Sequence, residues 1–175
     1  MFSSIKIAMI VVALATAGGG FMHYKTVKAD LETAKANQAK LEEAQQDNTK
    51  LVELYQKGEA RKAVPYAEKP FNISKEILGE THPHTLISLN NLAIAYAEQG
   101  DLKKAIDYLE QFVKGAENLR RAQLSVENRR SVFAQYIDSY FTLSQFYFLQ
   151  NNYQAAFHTA EKTKARTLLE SIAFK

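Results

Sequence analysis

Two histidines one residue apart, His82 and His84, form the nearest thing to a metal-binding pattern in the chain. A zinc site takes three or four protein ligands, and the other histidines, His23 and His158, lie far away in the sequence. The pair sits beside Pro83 and reads as loop capping, so no metal is expected. Covalent chemistry has no better footing. The absence of Cys removes thiol nucleophiles, thiolate zinc sites, iron–sulfur clusters and disulfides together. No serine stands in the Gly-x-Ser-x-Gly surroundings of a nucleophile elbow. Gly18-Gly19-Gly20 lacks the spaced Gly-Lys-Ser/Thr of a phosphate loop. No catalytic residue and no cofactor are therefore expected, and the chain reads as a non-enzyme. Asn72-Ile73-Ser74 is a formal glycosylation sequon, discounted because it falls in or at the end of an expected helix. Arg120, Arg121, Arg129 and Arg130, with Lys162, Lys164 and Arg166, make the C-terminal half the more basic one. They read first as a solvated helix face and second as a docking patch for an acidic partner or anionic headgroup. Nucleic acid is not an expected partner, because the net charge is only +3 and no aromatic platform interleaves the arginines. What remains is recognition chemistry: Asn90 and Asn91 carry carboxamides that can donate to and accept from a peptide backbone.

Positioning such groups falls to helices. Apolar residues make up 46% and charged residues 23% of the 175 positions, as in an ordinary globular protein. The 7 Gly and 3 Pro leave little room for the turns of an all-β fold. Residues 1–22 read as an address. Lys6 precedes the run Ile7–Ala17, apolar except for Thr16, and Ala15-Thr16-Ala17 is the small-residue pattern that signal peptidase cleaves after Ala17. An uncleaved anchor is the alternative, since Lys6 is the sole charge in residues 5–22, which sit at the short end of a bilayer span. Cleavage makes the protein periplasmic or secreted; retention tethers it to a membrane through residues 5–22. A buried helix of a soluble protein is the third reading.

Residues 23–46 form an expected polar helical spacer, rich in Ala, Lys, Glu and Gln with no Gly or Pro. Val27, Leu31, Ala34, Leu41 and later Val52 and Tyr55 follow a heptad-like track interrupted by Gln38, Gln45 and Asn48. A stalk, a first packing helix and a weak coiled coil all fit that pattern. Residues 47–175 then repeat themselves. Gly58, Gly100 and Asn151 each follow a bulky residue by four (Leu54, Tyr96, Tyr147) and precede a small one by five (Ala63, Ala105, Ala156). The spacings are 42 residues and 51 residues, from position 58 to 100 and from 100 to 151.

Such a unit is a helical hairpin. Gly or Asn ends the first helix by adopting the left-handed conformation. The small residue lets the second helix cross closely, while Tyr96, Leu92, Leu109 and Phe112 fill the space between. Three hairpins in tandem, over about 47–80, 86–119 and 137–170, predict an all-α, right-handed α-solenoid in which each hairpin buries its face on the next.

The stretch from Leu86 through Tyr96 and Gly100 to Ala105 resembles the tetratricopeptide repeat consensus. The 42-residue spacing and the loop Leu78-Gly79-Glu80-Thr81-His82-Pro83-His84-Thr85 resemble the kinesin-light-chain subtype. The resemblance covers roughly Asp47 to Glu170 and weakens in the first unit. There Pro65 suits the first turn of a helix, and Pro70 is expected to kink or shorten it. The last unit, Ala155 to Glu170, is similar to the repeat preceding the protease domain of bacterial TPR–CHAT proteins, and an expected long helix over Leu119–Tyr136 fits that likeness.

The resemblance implies a groove lined by the first helix of each hairpin. Asn90, Asn91, Ile94, Ala97 and Glu98 are the groove candidates of the middle unit, with Asn48, Thr49 and Thr142 at equivalent spots. For the two Asn residues, a local helix–helix hydrogen bond remains the alternative. The expected function is a non-catalytic scaffold that binds a partner peptide or helix. The alternative is the regulatory front portion of a larger TPR–CHAT-like protease or effector. The closing run Leu168-Leu169-Glu170-Ser171-Ile172-Ala173-Phe174-Lys175 is apolar, which suggests a truncated chain, self-association through this end, or self-burial.

Overall fold

A computed structural model describes residues 21–123 and 125–172. The expected leader, with Ala17, lies outside them except for its last two residues. Among the described residues six α-helices run in order: α1 Phe21–Gln56, α2 Val64–Leu78, α3 Pro83–Gln99, α4 Leu102–Arg121, α5 Val126–Leu149 and α6 Tyr153–Ile172. A 3-10 turn at Ala60–Lys62 precedes α2. No strand occurs among the described residues, and none of their helices is long and apolar enough to cross a membrane. The chain divides between Glu42 and Glu43 into two compact units, although α1 runs through the boundary and no helix break separates spacer from repeat.

The first unit is a polar helix supported by its own neighbours. Thr33 donates to the Ala29 carbonyl at 3.0 Å and Gln38 to Glu42 at 3.0 Å, while Lys35 lies 3.5 Å from Glu32. The two exposed side-chain pairs, Gln38–Glu42 and Lys35–Glu32, contribute roughly 0.2–0.5 kcal/mol each.

In the second unit one turn occurs three times. Gly58 has φ +70°, Gly100 +95° and Asn151 +61°. The following amide reaches back to the carbonyl of the bulky residue: Glu59 to Leu54 at 2.8 Å, Asp101 to Tyr96 at 2.9 Å and Asn152 to Tyr147 at 2.9 Å. This satisfies carbonyls that the helix end leaves open, as in a Schellman motif. The next helix is then started by a side chain. Asp101 accepts from the Lys104 amide at 3.1 Å and Asn152 from the Ala155 amide at 3.2 Å. Ala63, Ala105 and Ala156 are all buried just beyond, and Ser144 ties the third crossing by donating to the Ala156 carbonyl at 2.8 Å.

Consecutive helices pack from α2 to α6. One core joins Leu51 and Leu54 to Leu92, Tyr96, Phe112 and Tyr136; a second joins Ala93, Ile106 and Leu109 to Leu143. Gly115 is buried on α4 because Leu86 occupies its side-chain space, with Leu86 Cδ2 only 2.6 Å from where a Cβ would stand.

Two expectations are corrected. The segment 119–136 is not one helix: α4 ends at Arg121, and Ser125 starts α5 by accepting from the Asn128 amide at 3.0 Å. The additional residues of the third unit thus lengthen its first helix, which begins at Val126 instead of near 137. Pro70 does not shorten α2, which continues to Leu78 with the ring buried inside it. Tertiary burial of the ring offsets the lost amide donor.

Gly100→Ala should cost about 1–2 kcal/mol, because φ near +95° strains any residue with a Cβ, whereas Asn151→Gly should leave stability unchanged or raise it. Urea unfolding followed by circular dichroism measures both.

Candidate functional site

The first helices of the hairpins stand side by side. Tyr55 of α1 places its hydroxyl 3.5 Å from the Asn91 carbonyl of α3, and Ser139 of α5 donates to Asn90 Oδ1 of α3 at 3.0 Å. On each helix, positions spaced i, i+4, i+7 and i+11 fall on one face. Those stripes are Gln45, Thr49, Val52 and Gln56 on α1; Ile87, Asn91, Ile94 and Glu98 on α3; Asp138, Thr142, Gln145 and Leu149 on α5. Asn91, Ile94 and Thr142 are half-buried and the others exposed.

The stripes contain no Lys, Arg or His. Their Thr hydroxyls are already used: Thr49 donates to the Gln45 carbonyl at 3.1 Å and Thr142 to the Asp138 carbonyl at 2.9 Å. Outward chemistry falls to the amides of Gln45, Gln56, Asn91 and Gln145, the aliphatic Val52, Ile87, Ile94 and Leu149, and the carboxylates Glu98 and Asp138.

The structure separates the two Asn side chains. Asn90 is engaged by Ser139 and joins adjacent first helices, which is a structural bond between repeats. Its equivalent in the first unit, Asn48, has a buried Oδ1 without a hydrogen-bond partner among the described residues, so it too turns away from solvent. Asn91 lies on the stripe with Ile94 and Glu98. Sequence reasoning missed Ile87, Val52, Gln145 and Leu149, although the same spacing applied from Asn91 along each helix finds all of them.

A second recurring contact holds the stripes in place. Tyr96 of α3 donates its hydroxyl to Glu68 of α2, and Tyr147 of α5 donates to Glu110 of α4. Each Tyr stands four residues before its turn, and each Glu ten residues after the preceding turn. Tyr140 adds a further bond to Glu117 at 2.7 Å. The Tyr96 ring stacks on Tyr108 with centroids 5.4 Å apart, under the Lys104 ammonium 4.6 Å away. The hydrogen bond to Glu68, then burial, pushes the Tyr96 phenol well above its ordinary range. Burial, then Glu110, does the same to Tyr147. Burial and the nearby Glu98 push Tyr55 up to about 12.

His82 caps α3, its Nδ1 accepting from the His84 amide at 3.2 Å; the two rings stack 5.4 Å apart. Burial, then the charge of His84, lowers the His82 pKa. No group of three or more His, Asp or Glu able to hold a metal occurs among the described residues.

Residues 50–118, from the end of α1 through α2 and α3 into α4, match the tetratricopeptide repeat family. Over residues 50–118 the chain is therefore similar to tetratricopeptide repeats. Among solved structures it is similar to the nearly identical TPR-like repeats assigned to a kinesin light chain of Podosopora anserina. That likeness has 20% identity and a TM-score of 0.39, and covers 73% of this chain and 76% of that one. A single-substitution variant of the same repeats is similar at 20% identity and TM-score 0.39, over 77% of this chain and 78% of that one. No curated protein matches the chain. Tetratricopeptide repeats generally mediate protein–protein contacts.

Asn90→Ala should destabilise the repeats by about 1 kcal/mol, since it strips a partner from the buried Ser139, while Asn91→Ala should stay within about 0.5 kcal/mol. Denaturant midpoints of the two variants make the comparison. The raised phenol pKa values predict a second behaviour. Protons held more tightly in the fold stabilise it fully below the unfolded tyrosine value near 10, and that stability falls as pH rises from 10 toward 12 and beyond. Unfolding midpoints measured at pH 9, 10 and 11 should decline, and less steeply for Tyr96→Phe.

Proposed function

We propose that the protein is a non-catalytic scaffold whose α1–α3–α5 face binds a peptide or helix of a partner protein. The observation that carries this is the set of three aligned stripes, which combine outward amides with aliphatic side chains on adjacent, mutually bonded helices. Amides satisfy a peptide backbone, aliphatic positions receive alternate or helically spaced side chains, and Glu98 and Asp138 favour a basic flank. The face offers no cation to an acidic tail, so the partner is an apolar segment with neutral or basic surroundings. The same proposal puts the scaffold outside the cytoplasm, supported by the apolar run Ile7–Ala17 and the small residues before Gly18. It is released if cleavage follows Ala17 and membrane-held if residues 5–22 are retained.

A photo-crosslinking residue at Ile94 should capture the partner in the native host, and the same residue at Asp107, on the outer helix α4, should not. Asn91→Ala combined with Ile94→Ala should weaken the captured complex at least about tenfold, some 1.4 kcal/mol, in calorimetry, with helicity unchanged. Equal capture at the two positions, or unchanged affinity, refutes the assignment.

A further inference from the structure

The hairpin α5–α6 presents an apolar end face that no described residue covers. Phe157 is 69% exposed, Phe148 61% and Tyr153 56%, around a groove floored by Ser144, Ala156 and Ala160. One repeat earlier, the equivalent groove is occupied. Ala93, Ile106 and Leu109 stand at the positions of Ser144, Phe157 and Ala160, each 51 residues upstream, and they are buried beneath Leu143 of α5. Four residues after Leu143, Tyr147 donates to Glu110. The residue 51 positions after Glu110 is Glu161. Its carboxylate is exposed and has no hydrogen-bond or ion-pair partner among the described residues.

The last described hairpin therefore retains both halves of a receiving site, an apolar slot and a carboxylate for a phenol. The pattern that fills such a site appears twice in this chain: Leu92 with Tyr96, and Leu143 with Tyr147. The first helix lacks it. Lys50 and Leu54 stand at those two positions, and Lys50 is paired at 3.0 Å with Glu53 on an open face. A second copy stacked head to tail would bury the Lys50 ammonium against Phe157 and bring no donor to Glu161. Burying a charge against apolar groups costs far more than the contact returns, so continuation by a second copy in this register is disfavoured.

From this we infer that the α5–α6 end face is a docking site for an amphipathic helix of another polypeptide. That helix carries a leucine-sized residue followed four positions later by a tyrosine, whose hydroxyl donates to Glu161. The site meets the α1–α3–α5 face at Gln145 and Leu149, which line both, while Phe157 and Glu161 belong to the end face alone.

The probe is a fluorescein-labelled peptide spanning residues 131–150 of this chain, the helix that fills the equivalent groove. Titrated with the full chain and followed by anisotropy, it should bind saturably. Phe157→Asp in the protein should weaken binding at least about tenfold. Tyr147→Phe in the peptide should weaken it several-fold, and that loss should disappear against Glu161→Gln protein, as a direct pair requires. Absence of saturation, as when a further segment of the same chain already covers the face, overturns the proposal. So does equal affinity for Phe157→Asp. Sedimentation of the chain alone supplies the remaining arm: a dimer that Phe157→Asp dissociates would assign the face to a second copy instead.

Discussion

The close crossing of two helices over a single methyl group is the constraint on which the repeat unit rests. At Ala105 and Ala156 the second helix of the hairpin comes near enough to its first helix to bury that methyl, and Ala63 is buried at the corresponding place after its own turn. A larger side chain would hold the pair apart and open the core around Leu92, Leu109 and Phe112. The turn that precedes each alanine serves the same contact. A left-handed residue followed by a back-bonded amide returns the chain within a few residues, so the crossing point is fixed relative to the helix end. Because the crossing is tight, the first helices are rigidly placed, and their outward stripes align across three hairpins.

Between hairpins the tie is polar. The tyrosine whose carbonyl closes the turn also sends its hydroxyl to the second helix of the previous hairpin, to Glu68 or Glu110. One residue thus couples the end of a helix to the docking of the whole unit. The Asn90–Ser139 bond does the same for adjacent first helices. These contacts are directional, unlike the apolar core, and they set the register in which one hairpin stacks on the next.

Much of the fold was legible because its signals are local. Gly58, Gly100 and Asn151 mark the turns by backbone conformation alone, and the alanines five residues later report a steric limit that tolerates few alternatives. The end of α4 at Arg121 and the start of α5 behind Ser125 were not legible: Ser125 as a cap competes with a helical-looking sequence on both sides. Pro70 misled for a related reason, since its cost in an isolated helix is outweighed by burial of its ring. Of the recognition face, Asn91 and Ile94 follow from spacing, but the sequence could not separate Asn90 from Asn91. That distinction rests on Ser139, 49 residues away in the chain.

Thr49 and Thr142 change the character of the face they occupy. Their letters suggest a hydrated surface, yet each hydroxyl donates its proton to its own helix carbonyl, which leaves only the oxygen lone pairs and the methyl for an approaching group. Water gains little by ordering over such a residue and little is lost when it leaves. At these two positions the stripes therefore shed solvent more readily than free alcohols would, and a chain lying across them would meet spots drier than the letters imply.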